Sequence, residues 1–224
     1  MNRTYDRFWL RFAKGGKMKY IGHLDLLRVF QSAIRRAKLP VAYSMGFNPH
    51  QRLSFAMPLP VGMDSVCEYM EILLDKKDEG DEPVEIMALD KKLPDGLRIL
   101  SVYEVSEKAP SPAAVVAAAD YRLISPEIDK NIVRTIKESP EIIVMKKTKK
   151  GETEADIRPD ILALEYDHIG AVTMRLSAGS AKNLSPSLVA RQICKNIHKA
   201  SIIRQEIYGN AKKRLVPLHE AIIN

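Results

Sequence analysis

Asn48, His50, Gln51 and Arg52 put an amide, an imidazole, a second amide and a guanidinium within five positions. Such a set suits a phosphate, a base edge or a carboxylate, because it offers fixed donors and acceptors with one permanent cation. Around it, Gly46, Pro49, Pro58, Pro60 and Gly62 free or restrict the backbone at short intervals. Residues 44–62 therefore read as a shaped loop, interrupted at most by an extended piece over 52–56. Loops of this length without regular structure are uncommon in compact domains unless they are functional. The plainer alternative is a long connection in a small α/β domain.

A second group with possible chemistry is His23 with Asp25, two positions apart at the start of a predicted helix. His23, Asp25 and His50 are the candidates for acid–base work. In metal-independent RNA cleavage, His23 or His50 would activate a ribose hydroxyl, and Arg52 or Lys17 would stabilise the charge gathering at phosphorus. No spacing in the sequence brings these residues together, and His23 reads equally as a cap or a packed neighbour. As metal ligands the same three match no zinc pattern, so neither a metal nor a cofactor is expected. His168, His198 and His219 stand alone and read as surface or packing residues.

The elements that must position these residues follow from periodicity. Phe8, Leu10 and Phe12 alternate with Arg7, Trp9 and Arg11, the pattern of a half-buried strand that leaves Trp9 on the polar side. A turn with Lys14, Lys17 and Lys19 follows; it lacks the Gly-Lys-Ser/Thr ending of a phosphate loop. Residues 24–37 form an amphipathic helix, with Leu26, Leu27, Phe30, Ala33, Ile34 and Ala37 on one face and Asp25, Arg28, Ser32, Arg35 and Arg36 on the other. A short strand at 41–43 leads into the loop. Strand 66–74 is expected to turn Glu68, Met70, Ile72 and Leu74 to the core. A charged turn at 75–81, a helix over 83–93 and a strand over 97–105 complete the order strand, helix, strand, strand, helix, strand, which is the ferredoxin-like (βαββαβ) arrangement.

The same grammar returns further along. Strand 121–124 precedes a helix begun by Ser125-Pro126 with Ile128, Ile132 and Ile136 on one stripe. Strand candidates at 142–145, 161–166 and 171–176, a helix from Ser185-Pro186 and a strand at 201–207 follow. Predicted helix starts near 24, 83, 126 and 186 are evenly offset between the halves. The expected fold class is α+β, with tandem ferredoxin-like units and antiparallel sheets: a first unit over 1–108, a linker over 109–119 and a second unit over 120–224.

Hydrophobic residues make up 46% and charged residues 28% of the 224, ordinary for a soluble globular chain. No apolar run approaches the roughly 18 residues of a membrane span, and no leader is recognisable, so a cytoplasmic protein without membrane association is expected. Cys67 and Cys194 are far apart and in no pair motif, which leaves two buried thiols rather than a disulfide framework. The net charge of +7 is uneven: residues 1–60 carry 11 basic against 2 acidic side chains, and residues 61–110 carry 6 against 13. Positive charge beside a polar loop fits an anionic partner, with RNA first among the candidates. The RNA-contact candidates are Lys17, Lys19, Arg28, Arg35, Arg36, Phe47, Asn48, His50, Gln51 and Arg52, with Lys147, Lys149 and Arg158 from the second half. A Lys-rich hairpin tip at 146–151 can also be simply solvated.

Phe12, Lys14, Tyr20-Ile21-Gly22-His23-Leu24-Asp25-Leu26, Arg35-Arg36-Ala37 and Gly46-Phe47-Asn48-Pro49-His50 resemble the bacterial radical-SAM-linked (radical-SAM-associated) proteins, a family without an established function. Pro58-Leu59-Pro60-Val61-Gly62 with Glu68, and Asp156-Ile157-Arg158-Pro159, extend the resemblance over nearly the whole chain. The resemblance implies a radical SAM partner with a cobalamin-binding-type region and a role in RNA processing or modification. The chain is not itself the radical enzyme, whose cluster needs three cysteines. A second likeness, in architecture, is to the repeat-associated RNA-binding proteins of CRISPR systems, some of them metal-independent endoribonucleases; architecture does not transfer activity.

The leading expectation is a non-catalytic RNA-binding accessory protein. The alternatives are an RNA-modifying or RNA-cleaving enzyme using His23 or His50, and a protein-interaction module that docks the radical SAM enzyme.

Overall fold

The computed structural model describes residues 5–76, 82–148, 151–167 and 170–222. The chain is an α+β protein that divides into two compact units, Met1–Val116 with Tyr208–Asn224, and Ala117–Ile207. Among the described residues no helix is long and apolar enough to cross a membrane.

In the first unit, β1 (Tyr5–Lys14), a 3-10 turn at Gly16–Tyr20 and α1 (His23–Ala37) are followed by β2 (Leu53–Phe55), β3 (Asp64–Asp75), α2 (Glu82–Ala88), β4 (Leu97–Val105) and the short α3 (Pro112–Val115). The strands lie in the order β4-β1-β3-β2, with each neighbouring pair antiparallel. Period-2 alternation sends Phe8, Leu10 and Phe12 to the same face as Met70, Ile72 and Leu74, where Leu26, Phe30, Ala33 and Ile34 of α1 cover them. Burial of such side chains is worth about 1.5–3 kcal/mol each before entropy is counted. Lys38 ends α1 in the left-handed region at φ 56°, and Leu39 N–H returns to the Ile34 carbonyl.

Several expectations change here. Residues 41–43 make only isolated bridges, Val41 to Leu74 and Tyr43 to Gln51, because the chain reverses at once into the loop; β2 is the strand that pairs with β3. Lys14 belongs to the end of β1 rather than to the turn, and its buried ammonium donates to the Ile21 carbonyl at 3.0 Å. Both faces of β3 are buried, not one. Tyr69 and Glu71 lie with Trp9 and Tyr103 on the face away from α1, and the chain's last turns cover part of it. The His219 ring stacks 4.2 Å from Tyr103, and its Nδ1 shares a 2.8 Å hydrogen bond with the Tyr69 hydroxyl. A side chain at Gly209 would come within 2.5 Å of Ala221, so glycine permits this closure.

The second unit holds β5 (Val116–Ile124), α4 (Lys130–Glu138), β6 (Ile143–Thr148), β7 (Gly151–Asp156), β8 (Ile161–Tyr166), β9 (Ala171–Ser177), α5 (Pro186–Ile193) and most of β10 (Ser201–Ala211). Its main strands are ordered β10-β5-β9-β8, while β6 and β7 form a separate hairpin. Apart from that hairpin, the strand positions repeat the order of the first unit. The chain then adds β11 (Arg214–Pro217), paired with the end of β10, and a final 3-10 turn at Leu218–Ile222.

The stretch 109–119 is not an open linker: α3 occupies 112–115 and β5 starts at Val116. Residues from Tyr208 onward group with the first unit, with Leu218 fully buried. Helix α4 begins at Lys130 rather than after Ser125-Pro126. Asp129 caps it by accepting from Asn131 N–H at 2.7 Å, while Ser125 Oγ closes a local turn with Glu127 N–H. Cys67 and Cys194 are both buried, and neither is in a disulfide. Burial raises the Cys194 thiol pKa, and Glu127 also raises it more weakly against a Ser125 hydrogen bond.

Candidate nucleic-acid interface

The loop between α1 and β2 is closed by a clasp. Ser44 Oγ lies 2.8 Å from His50 Nδ1 and accepts from His50 N–H at 3.0 Å, while Ser44 N–H donates to the His50 carbonyl at 2.8 Å. Gly46, at φ 120°, takes a conformation that only glycine adopts cheaply, and so lets the short loop turn. The clasp leaves the tip unsupported: Phe47 is fully exposed and Met45 is 85% exposed. The loop thereby presents two large apolar side chains to solvent.

Below the clasp lies a cleft of about 250 Å³ lined by Ser44, His50, Gln51, Arg52, Leu53, Ser54, Glu71 and Leu73. Glu71 and Leu73 place it on the sheet face away from α1. Glu71 is held by three donors on one oxygen: Oε1 accepts from Trp9 Nε1 at 3.2 Å, Arg7 Nε at 3.2 Å and Arg7 Nη2 at 2.5 Å. This explains a tryptophan on the polar side of β1, since its indole N–H needs a buried acceptor. Arg7 Nη1 also donates to the carbonyls of Glu107 and Ala109, at 2.8 and 2.7 Å. The Arg52 guanidinium sits 5.0 Å from the centre of the Tyr5 ring. Gln51 is 4% exposed, and neither its amide nitrogen nor its amide oxygen has a partner; Ser54 Oγ is likewise buried and unpartnered.

The other residues singled out from the sequence are spread over different surroundings. His23 is the first residue of α1 and packs edge-on against Phe55, 5.2 Å between ring centres, within a cluster that includes Phe30 and Phe12. It does not line the cleft, and neither do Asp25 and Lys17. Asp25 pairs with Arg28 at 2.8 Å on the exposed side of α1. Arg36 donates to Ser32 Oγ and to the Lys92 carbonyl, fastening α1 to the turn after α2. Arg35 is exposed. Lys19 pairs with Asp64 at 3.3 Å and lies over Tyr20. Lys17 and Asn48 are exposed. The structure thus gathers His50, Gln51 and Arg52, and puts the basic helix on the opposite side of the sheet. Among the described residues no three His, Cys, Asp or Glu side chains group to hold a metal.

In the second unit, Asp156-Ile157-Arg158-Pro159 is a structural lock. Asp156 Oδ1 accepts from Ile142 N–H and Arg158 N–H, and these two bonds hold its carboxyl below the usual range. Ile157 is fully buried, and Arg158 donates to the carbonyls of Ser139, Ile161 and Lys137 at 3.1–3.2 Å. Its guanidinium is occupied by the unit's own backbone. Lys147 lies in β6 opposite Glu152, and Lys149 and His168 fall outside the described residues.

A basic cleft lies elsewhere in this unit, between α4 and β8. It measures about 340 Å³ and is lined by Lys130, Val133, Arg134, Lys137, Leu164, Glu165 and Tyr166. Lys130, Arg134 and Lys137 fall at i, i+4 and i+7, so one helical ridge carries three cations over an apolar floor beside an aromatic ring. The ridge is readable in the sequence; Tyr166 at its side is not, because it comes from a strand that the intervening hairpin separates from α4. Ser54 and Glu71 were missed for a related reason, since their positions in alternating strands look like a solvent face.

No curated protein matches the chain. Residues 7–186, a span that runs from the donor that holds Glu71 to the first residue of α5, match a bacterial family. The chain belongs to that family, described as an uncharacterized protein conserved in bacteria (DUF2344).

Proposed function

We propose that this protein is a non-catalytic RNA-binding accessory protein, built on two ferredoxin-like units and working with a radical SAM partner in RNA modification or processing. The observation that carries the RNA reading is the clasped loop: a projecting Phe47 for stacking, with Gln51 and Arg52 beneath it in one cleft, in the stretch of the chain with the largest positive excess. Single-stranded RNA is recognised by stacking unpaired bases on aromatic side chains while cations meet the phosphates. The ridge of Lys130, Arg134 and Lys137 supports the same reading from the second unit. The radical SAM partnership rests on the sequence resemblance.

Fluorescence anisotropy of a labelled single-stranded RNA with the purified protein tests this. Affinity should fall steeply as salt rises from about 50 to 200 mM, because phosphate contacts release counterions, and Phe47→Ala should weaken it at every salt concentration. Affinity that is flat with salt, or unchanged in Phe47→Ala, refutes the RNA role of the loop.

A second reading is metal-independent RNA cleavage, favoured by His50 and Arg52 lining one cleft with His50 oriented by Ser44. His50 would take the proton from a ribose hydroxyl and Arg52 would face the developing charge. New RNA ends made by the wild type and absent with His50→Ala would establish it; identical ends in both exclude it.

A further inference from the structure

Gln51 and Ser54 present a physical anomaly. A buried donor or acceptor without a partner costs roughly 1–3 kcal/mol, and such groups are few in native structures. Here three such atoms, Gln51 Nε2, Gln51 Oε1 and Ser54 Oγ, belong to two side chains that line one cleft. The neighbouring carboxylate does not show this defect, since Glu71 Oε1 takes Trp9 and Arg7. The fold thus satisfies the charged group and leaves an amide and a hydroxyl unanswered beside it.

We infer that Gln51 and Ser54 are a base-reading pair, whose missing partner is the edge of one nucleobase inserted into the cleft. An amide offers a donor and an acceptor side by side in one plane, which matches an adjacent acceptor and donor on a base edge. Ser54 Oγ, able both to donate and to accept, completes a three-point contact. At about 250 Å³ the cleft is smaller than the roughly 300–1,000 Å³ of drug-sized sites, which suits a single planar group rather than a whole cofactor. Arg52, which lies over the Tyr5 ring and lines the same cleft, supplies a cation for the backbone phosphate of such a nucleotide. The inference rests on the RNA reading above and adds selectivity to it: the loop binds RNA, and this pair chooses the base.

The test uses the full chain, four labelled homopolymeric RNA ten-mers, one for each base, and the four free nucleosides. Wild type should prefer one base by at least about fivefold, since a good bidentate pair is worth roughly 1–3 kcal/mol of discrimination. Gln51→Met, close in shape but apolar, should flatten that preference and raise Tm, because it removes a buried amide that the free protein leaves unsatisfied. Ser54→Ala should do the same to a smaller extent. A lower Tm in Gln51→Met shows that the amide is satisfied within the fold and overturns the inference, and so does an unchanged base preference. If the wild type binds all four strands equally, the base-reading pair fails and RNA binding stands. If it binds none at any salt concentration, the RNA reading fails first and takes the pair with it. A preference shown by the free nucleosides as well as the strands assigns recognition to the base itself; a preference seen only with strands assigns part of it to the phosphates that Arg52 meets.

Discussion

The two units place their elaborate connections at the same point, after the first helix, and use them differently. In the first unit the chain between α1 and β2 forms the Ser44–His50 clasp beside a cleft in which the Gln51 amide and Ser54 Oγ are buried. In the second, the chain between α4 and β8 forms the β6–β7 hairpin and the Asp156–Arg158 lock, and the cleft beside it carries exposed cations over Val133 and Leu164. One cleft lies on the sheet face away from α1; the other lies against the helix α4. Similar strand orders therefore do not imply similar sites. A buried amide can discriminate between bases, because a wrong edge leaves it unpaired, whereas exposed lysines and arginine attract phosphate without reading sequence.

The sharpest way to break this contrast is at Glu71. Glu71→Ala leaves the Arg7 guanidinium and the Trp9 indole N–H without their shared acceptor, with Arg7 only 13% exposed. We expect a loss of about 3–5 kcal/mol in urea unfolding, as for breaking one side of a buried ion pair; a loss below 1 kcal/mol would show that the cleft wall does not depend on this carboxylate.

Next in size are two arginines of the second unit. Arg158→Ala should cost about 1.5–3 kcal/mol, since three carbonyls lose a charged donor. Arg134→Ala should stay within about 0.5 kcal/mol of wild type and yet lower RNA affinity and the salt slope together. The reverse pattern in paired unfolding and anisotropy measurements would exchange their assigned roles.

The acid limb gives a smaller effect. Asp156 has its pKa lowered by accepting from Ile142 and Arg158 N–H, so its contribution to stability is fully present above its ordinary value of 3.8 and is lost as pH falls through the lowered one. Asp156→Asn should therefore flatten the decline of stability below pH 3.8 relative to wild type, as read by unfolding midpoints across an acid series. The smallest effect belongs to Arg28, whose pair with Asp25 is open to water on both sides. Arg28→Ala should change stability by no more than about 0.5 kcal/mol, and a larger loss would mark a structural role for the basic face of α1.

Strand alternation and helical periodicity made the elements legible: β1, α1, β4, β8 and β9 stand within a residue or two of where the apolar pattern puts them. The loop was legible too, because glycine and proline act on the backbone locally and His50, Gln51 and Arg52 are neighbours in the chain. Strand β7, with the sequence GETEAD, was not legible, since its exposed residues carry no alternation. Trp9 and Glu71 read as outward-facing from alternation alone, because what buries them is non-local: they bond to each other and to Arg7, whose guanidinium is held by carbonyls about a hundred residues further along the chain. By itself, the sequence determined the local states, the uneven charge and the chemistry of the loop, all of which depend on near neighbours. Only the tertiary structure decided which of those groups share a cleft, which are occupied by carbonyls, and that Gln51 and Ser54 are left without partners, because pairing and burial are set by contacts between distant parts of the chain.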